Sequence, residues 1–228
     1  MRRSVAAGLG ATAAVIGGAA LAGTKVRDVF RSVGTHREYW QDRAGQPGEQ
    51  LYIALGDSTA QAVGAIRPQD GYVGRLAADL ANETSRTVRV VNLAVSGARV
   101  SDLVRDQLPL LAELLAEQPE PALVTVTIGA NDTGRTDRAI FEEDMRTVLD
   151  ALPAGSKVAD VPYFRGPRGR DAADFSDVIR ELVAERPQLV QVDLWAVTGG
   201  MRPREYAADL FHPSAIGYDR YYNAFRNA

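Results

Sequence analysis

Two short segments far apart in the chain carry residue types that could do acyl-transfer chemistry. Gly56-Asp57-Ser58 directly follows the apolar run Leu51 to Leu55, and Asp209-Leu210-Phe211-His212 lies near the other end. A serine hydroxyl is a weak nucleophile at neutral pH. It needs a base within about 2.6 to 3.2 Å, and that base needs a third group to fix its tautomer. The only histidines are His36 and His212, so a proton shuttle near neutrality has few places to sit. His212 is the better candidate, because Asp209 precedes it by three residues, a spacing that brings both side chains to one side of a helical turn. Ser58, His212 and Asp209 thus read as nucleophile, base and orienter. An attacked carbonyl becomes an oxyanion, for which the sequence offers the backbone N–H of Ser58, the backbone N–H of Gly97 in Val95-Ser96-Gly97-Ala98, and the side-chain amide of Asn131 in Gly129-Ala130-Asn131-Asp132. One such donor contributes about 3 to 4 kcal/mol to the transition state. With histidine as base, turnover falls as pH drops through its pKa, ordinarily about 6.5.

These residues need a frame that brings them together. Aliphatic runs at Leu51 to Leu55, Val88 to Leu93, Leu123 to Ile128, Lys157 to Val161 and Leu189 to Leu194 read as strands. Between them, Val100, Leu103, Val104, Leu108, Leu111, Leu114 and Leu115 fall at helical spacing, as do Phe141 to Leu152 and Phe175 to Val183. Strands separated by helices need crossover connections, which predicts a mainly parallel five-stranded sheet in a three-layer α/β/α sandwich. Ligands in such sheets bind beyond the carboxyl ends of the strands. Ser58, Gly97 and Asn131 follow the first three strands, while Asp209 and His212 follow the fifth, before a last helix that Pro213 would start at its first position.

Composition narrows the function. The 228 residues are 46% hydrophobic, enough for one ordinary core, and a net charge of −3 argues against a nucleic-acid surface. With no cysteine, disulfides, thiolate nucleophiles and cysteine metal sites are excluded. Lysine occurs only at Lys25 and Lys157 against many arginines, an association with GC-rich bacterial genomes. Arg2 and Arg3 precede an uncharged Ala/Gly-rich stretch from Ser4 to Thr24, with Ala20-Leu21-Ala22 as a possible cleavage point. Residues 1–25 therefore read as a signal peptide or membrane anchor and place the catalytic domain outside the cytoplasm. Residues 26–50 read as a charged juxtamembrane helix or spacer ending in the Gly/Pro linker Ala44-Gly45-Gln46-Pro47-Gly48, with His36 exposed and inert. The catalytic domain would span 51–228.

The pattern resembles the SGNH (GDSL-like) hydrolase family from Leu51 onward. Ser58, Gly97, Asn131 and His212 match the four signature letters, and Asp209 completes the Asp-x-x-His block; Thr59 stands where leucine is usual, a departure that touches loop packing more than chemistry. The resemblance implies a flavodoxin-like fold and hydrolysis of carboxylic esters without metal or cofactor, on small-molecule, lipid or acylated-sugar substrates. The same residues could instead transfer an acyl group to an alcohol. A non-catalytic reading is a flavodoxin-like module in which Ser58, Thr59 and Gln61 bind phosphate at a helix N-terminus, although Asp57 is electrostatically unhelpful there. An inactive envelope domain is the fourth. Around the site, the arginines of Tyr163 to Arg170 read as solvated or as meeting an anionic headgroup, Met201, Tyr206 and Phe211 as sheet packing or an acyl pocket, and Asp57 and Asp132 as turn-forming carboxylates.

Overall fold

The computed structural model describes residues 26–228. The segment 1–25, with its export or anchoring expectation, lies outside the described residues. No helix among the described residues is long and apolar enough to cross a membrane.

Five strands form one sheet: β1 (Gln50–Gly56), β2 (Val88–Asn92), β3 (Leu123–Thr127), β4 (Lys157–Ala159) and β5 (Val190–Val192). Their order is β2-β1-β3-β4-β5 and every pairing is parallel. Because β1 lies between β2 and β3 and is covered on both faces, all seven of its residues are buried. Alternation then divides them. Leu51, Ile53 and Leu55 join a core with α4 (Leu108–Glu117), α5 (Arg138–Asp150) and α6 (Arg168–Ala184), where Phe141 stacks on Phe175 at 4.0 Å. Tyr52 and Ala54 join the opposite core with α2 (Tyr72–Thr84) and α8 (Ala215–Asn227), where Tyr72 stacks on Phe225 at 4.6 Å. The hydroxyls buried there are paired, Tyr52 with Thr125 at 3.0 Å and Tyr72 with Thr127 at 2.8 Å. The three-layer arrangement expected from the alternation of runs is thus the one observed.

Several local expectations need correction. The fourth and fifth strands are shorter than the aliphatic runs. Asp160 turns its carboxylate to the Trp195 N–H (2.9 Å), and Asp193 caps α7 (Leu194–Thr198) by accepting from Ala196 N–H (2.8 Å). The helix predicted from Val100 is three pieces, α3 (Val100–Asp102), a π segment (Leu103–Gln107) and α4. Pro213 does not start α8; Ser214 is its cap, accepting from Gly217 N–H, so the proline sits one residue before the cap.

Residues 26–44 form a helix, α1, and only its outer side behaves as a charged spacer. Its inner side packs on the domain. His36 is 1% exposed and Trp40 2%, which overturns the exposed reading of that histidine. His36 Nδ1–H and Trp40 Nε1–H both donate to the Gln61 carbonyl, at 3.0 and 3.1 Å, and burial holds the His36 pKa below its usual value against the opposing effect of its own bond to that carbonyl. The charged residues between the apolar ones hid the pattern: at 100° per residue Phe30, Val33, His36 and Trp40 share one face of about 120°.

Candidate active site

The chain order of the sheet reverses at β1, so β1 and β3 diverge into crossovers on either side and leave a crevice beyond their carboxyl ends. The loops leaving β1, β2 and β3 meet there. Gly56 ends β1 with φ of +141°, and a Cβ at that position would lie 2.1 Å from the Thr127 carbonyl oxygen of the neighbouring strand. Only glycine lets the chain turn away at this point. Gln107, from the π segment, clamps the same residue, accepting from Gly56 N–H at 2.9 Å and donating to its carbonyl at 2.8 Å. Asp57 then accepts from Thr59 N–H (2.9 Å) and Thr59 Oγ1 (2.8 Å), an Asx turn that presents Ser58. Thr59 thereby bonds directly to the loop carboxylate, beyond packing. Burial pushes the Asp57 carboxyl up, opposed by the Thr59 bonds.

Gly97 occupies the third position of the turn Val95 to Ala98, closed by Ala98 N–H to Val95 O at 3.0 Å, with φ of +84° as a type II turn demands. A side chain there would meet nothing within 4 Å, because the position faces open cleft. Asn131 Nδ2 donates to Ala98 O at 3.1 Å and more weakly to Asp57 Oδ2 at 3.3 Å, which ties all three loops together. Among the described residues, the N–H groups of Ser58 and Gly97 meet no protein acceptor. Asp132, expected to bond the backbone of its own turn, accepts instead from Val100 N–H, 32 residues away, and from Thr136 Oγ1, and burial raises its pKa to about 6.

The segment carrying Asp209 and His212 is not a helical turn. Leu210 has a left-handed φ of +55°, and the loop is closed by Ala207 N–H to His212 O at 2.8 Å. Asp209 Oδ1 accepts from the backbone N–H groups of Phe211 and His212, both at 3.1 Å, leaving Oδ2 for His212 Nδ1 at 2.6 Å. The three-residue spacing works through an Asx-type turn instead of a helix face. Burial opposes ionisation of Asp209, but the bonds from the His212 ring and the two N–H groups outweigh it and hold its carboxyl below the usual range. An ionised carboxylate only accepts, so His212 carries its proton on Nδ1. Its Nε2 then accepts from Ser58 Oγ–H at 2.9 Å.

Ser58, Gly97, Asn131, Asp209 and His212 line one cleft of about 550 Å³ with Phe30, Val33, Arg135, Arg168 and Phe211. A narrower recess beside Ser58 is lined by Tyr163, Met201, Tyr206 and Phe211. Of the arginines between Tyr163 and Arg170, Arg168 reaches the cleft, 5.6 Å over the Phe211 ring. The phosphate-module alternative loses its basis, since turns follow β1 and no α-helix starts between Gly56 and Tyr72. Thr59 and Gln61 spend their side chains on Asp57, Ala94 and Ser96.

The sequence from residue 54 to 220 matches the GDSL-like lipase/acylhydrolase family. The chain belongs to this family. Like other GDSL-type members it is a carboxylic ester hydrolase, and solved structures share its architecture. A variant of Axe2, an acetyl xylan esterase from Geobacillus stearothermophilus, is 25% identical with a TM-score of 0.62, covering 78% of this chain and 94% of its own. TesA is 27% identical with a TM-score of 0.61, covering 78% and 97%. The fold is also that of LAE5, an alpha/beta hydrolase enzyme from the metagenome of Lake Arreo, Spain, at 22% identity, TM-score 0.63, and coverage of 80% and 95%. No curated protein sequence matches. Sequence reasoning missed Gln107, whose position inside an apolar helical stripe was its only signal, and Phe30 and Val33, whose helix was read as spacer.

Proposed function

We propose that this GDSL-type hydrolase cleaves its esters through an acyl-Ser58 intermediate. The observation that carries this is the linear relay Ser58 Oγ to His212 Nε2 (2.9 Å) and His212 Nδ1 to Asp209 Oδ2 (2.6 Å) at the mouth of an open cleft. As Ser58 Oγ bonds to the carbonyl carbon, its proton passes to His212 Nε2, and Asp209 stabilises the resulting imidazolium. The carbonyl oxygen takes the negative charge. The free N–H groups of Ser58 and Gly97 and the Asn131 amide, which releases its long bond to Asp57, would bind it. Collapse breaks the bond to the alkoxide, which leaves with the His212 proton. Water then gives a proton to His212 and attacks the acyl carbon, and the second collapse returns that proton to Ser58.

The test is Ser58→Ala, assayed with p-nitrophenyl acetate. Turnover should fall by several orders of magnitude, whereas equal rates for variant and parent would end the nucleophile assignment. An extracytoplasmic site of action is part of the proposal and rests on the uncharged stretch from Ser4 to Thr24. Uncleaved chain in the soluble cytosolic fraction would overturn it.

A further inference from the structure

The matched region begins at residue 54, so α1 lies outside it, yet α1 supplies two side chains to the catalytic cleft. The helix is fixed at its C-terminal half. His36 and Trp40 hold the carbonyl of Gln61, three residues beyond Ser58, and Arg43 Nη2 donates to Val88 O at 3.2 Å. Gln61 in turn donates to Ala94 O at 2.7 Å and accepts from Ser96 Oγ at 2.6 Å, so the helix is anchored to the loops carrying both Ser58 and Gly97. Its N-terminal half continues the same face past the anchor. Phe30 lies ten residues, about 15 Å of helix, before Trp40.

Packing among the described residues does not account for Phe30. It is 64% exposed, among the large apolar side chains most open to solvent, although it sits on the face that buries Trp40. Phe30 and Val33 line the cleft with Ser58, Gly97, Asn131 and His212, and Phe211 adds a third apolar surface to the same space. An apolar wall beside an oxyanion site fits the hydrocarbon part of an ester, while Arg135 and Arg168 of the same lining are left for its polar parts.

We propose that α1 is one wall of an acyl-chain subsite, in which Phe30 and Val33 select esters of extended hydrocarbon acyl groups over acetate. This rests on the hydrolase reading above and adds a specificity element from outside the matched region. Phe30 touches the acyl chain beyond the reacting carbonyl, so it acts on longer substrates and leaves the acetyl group alone.

The experiment compares kcat/KM of the full chain on p-nitrophenyl acetate and p-nitrophenyl octanoate for the parent, Phe30→Ser, Val33→Ser and Phe30→Leu. Phe30→Ser should lower the octanoate value about tenfold, mainly through KM, and change acetate by less than about twofold. Val33→Ser should do the same to a smaller extent, and Phe30→Leu should keep most of the octanoate rate. Equal effects on the two esters, or none on either, would overturn the assignment while leaving the hydrolase intact. Parent turnover of acetate without octanoate would do likewise. Absence of turnover on both esters by folded parent would end the hydrolase reading and this one with it.

Discussion

Exchanging Asp209 for asparagine isolates the orienting role, because shape is kept and only the donor pattern changes. Asp209 Oδ1 receives two backbone N–H groups at 3.1 Å, and Oδ2 receives His212 Nδ1 at 2.6 Å. The new amide nitrogen must occupy one of those positions. At the first, it would face two N–H donors and strip both of their acceptor, and because these bonds are only part-buried the low end of the cost applies, about 1 to 1.5 kcal/mol for each unmet group. At the second, both backbone bonds survive and the nitrogen donates to His212 Nδ1. That orientation wins by about 2 to 3 kcal/mol, and it moves the ring proton to Nε2, where it faces Ser58 and cannot accept. Reaching the reactive tautomer then costs the flip. Loss of the charged bond to the imidazolium adds about 1.5 to 3 kcal/mol. Together these give about 4 to 6 kcal/mol, or three to four orders of magnitude in kcat at about 1.4 kcal/mol per tenfold. The assay is p-nitrophenyl acetate hydrolysis at pH 7.5, beside thermal melting to confirm the fold. A folded Asp209→Asn variant losing less than about tenfold would refute the tautomer reasoning.

Two further outcomes follow from buried groups around the site. Gln107→Ala leaves Gly56 N–H without its acceptor and removes one of two bonds to its carbonyl, so the urea midpoint should fall by the equivalent of about 2 to 4 kcal/mol. An unchanged midpoint would mean the clamp contributes nothing. Asp132 titrates at about 6 in the fold against 3.8 for the free group, so between about pH 4 and 6 the folded state binds more protons than the unfolded one. Its contribution to stability is therefore lost as pH rises through that window, by about 3 kcal/mol for the full rise. Asp132→Asn, which can still accept from Val100 N–H and donate to Thr136 Oγ1, should lack that slope. Parallel urea midpoints of parent and variant from pH 4 to 7 would contradict it.

Much of the frame was legible because its signals are local. The five aliphatic runs marked the strands, and their separation by amphipathic stretches required parallel crossovers. What ended the strands was not legible from hydrophobicity. The carboxylates of Asp160 and Asp193 both turn to backbone donors of α7, so β4 and β5 stop inside their apolar runs. The histidines show the same division. His212 was singled out by its neighbour Asp209. His36 looked idle beside Arg37 and Glu38, since its partner is a carbonyl 25 residues away that no local pattern announces.

By itself the sequence determined which groups could react and the order in which the chain delivers them: a serine after the first strand, a glycine after the second, an asparagine after the third, and an Asp-His pair near the end. Residue type and spacing suffice for that, because each block forms its own turn from its own glycines and carboxylates. Only the tertiary structure decided that these blocks meet within hydrogen-bonding distance, that Gln107 locks the peptide before the nucleophile loop, and that α1 closes one side of the cleft. Those contacts join residues up to 154 positions apart, and their geometry depends on packing the two helical layers onto the sheet. No single segment encodes that packing.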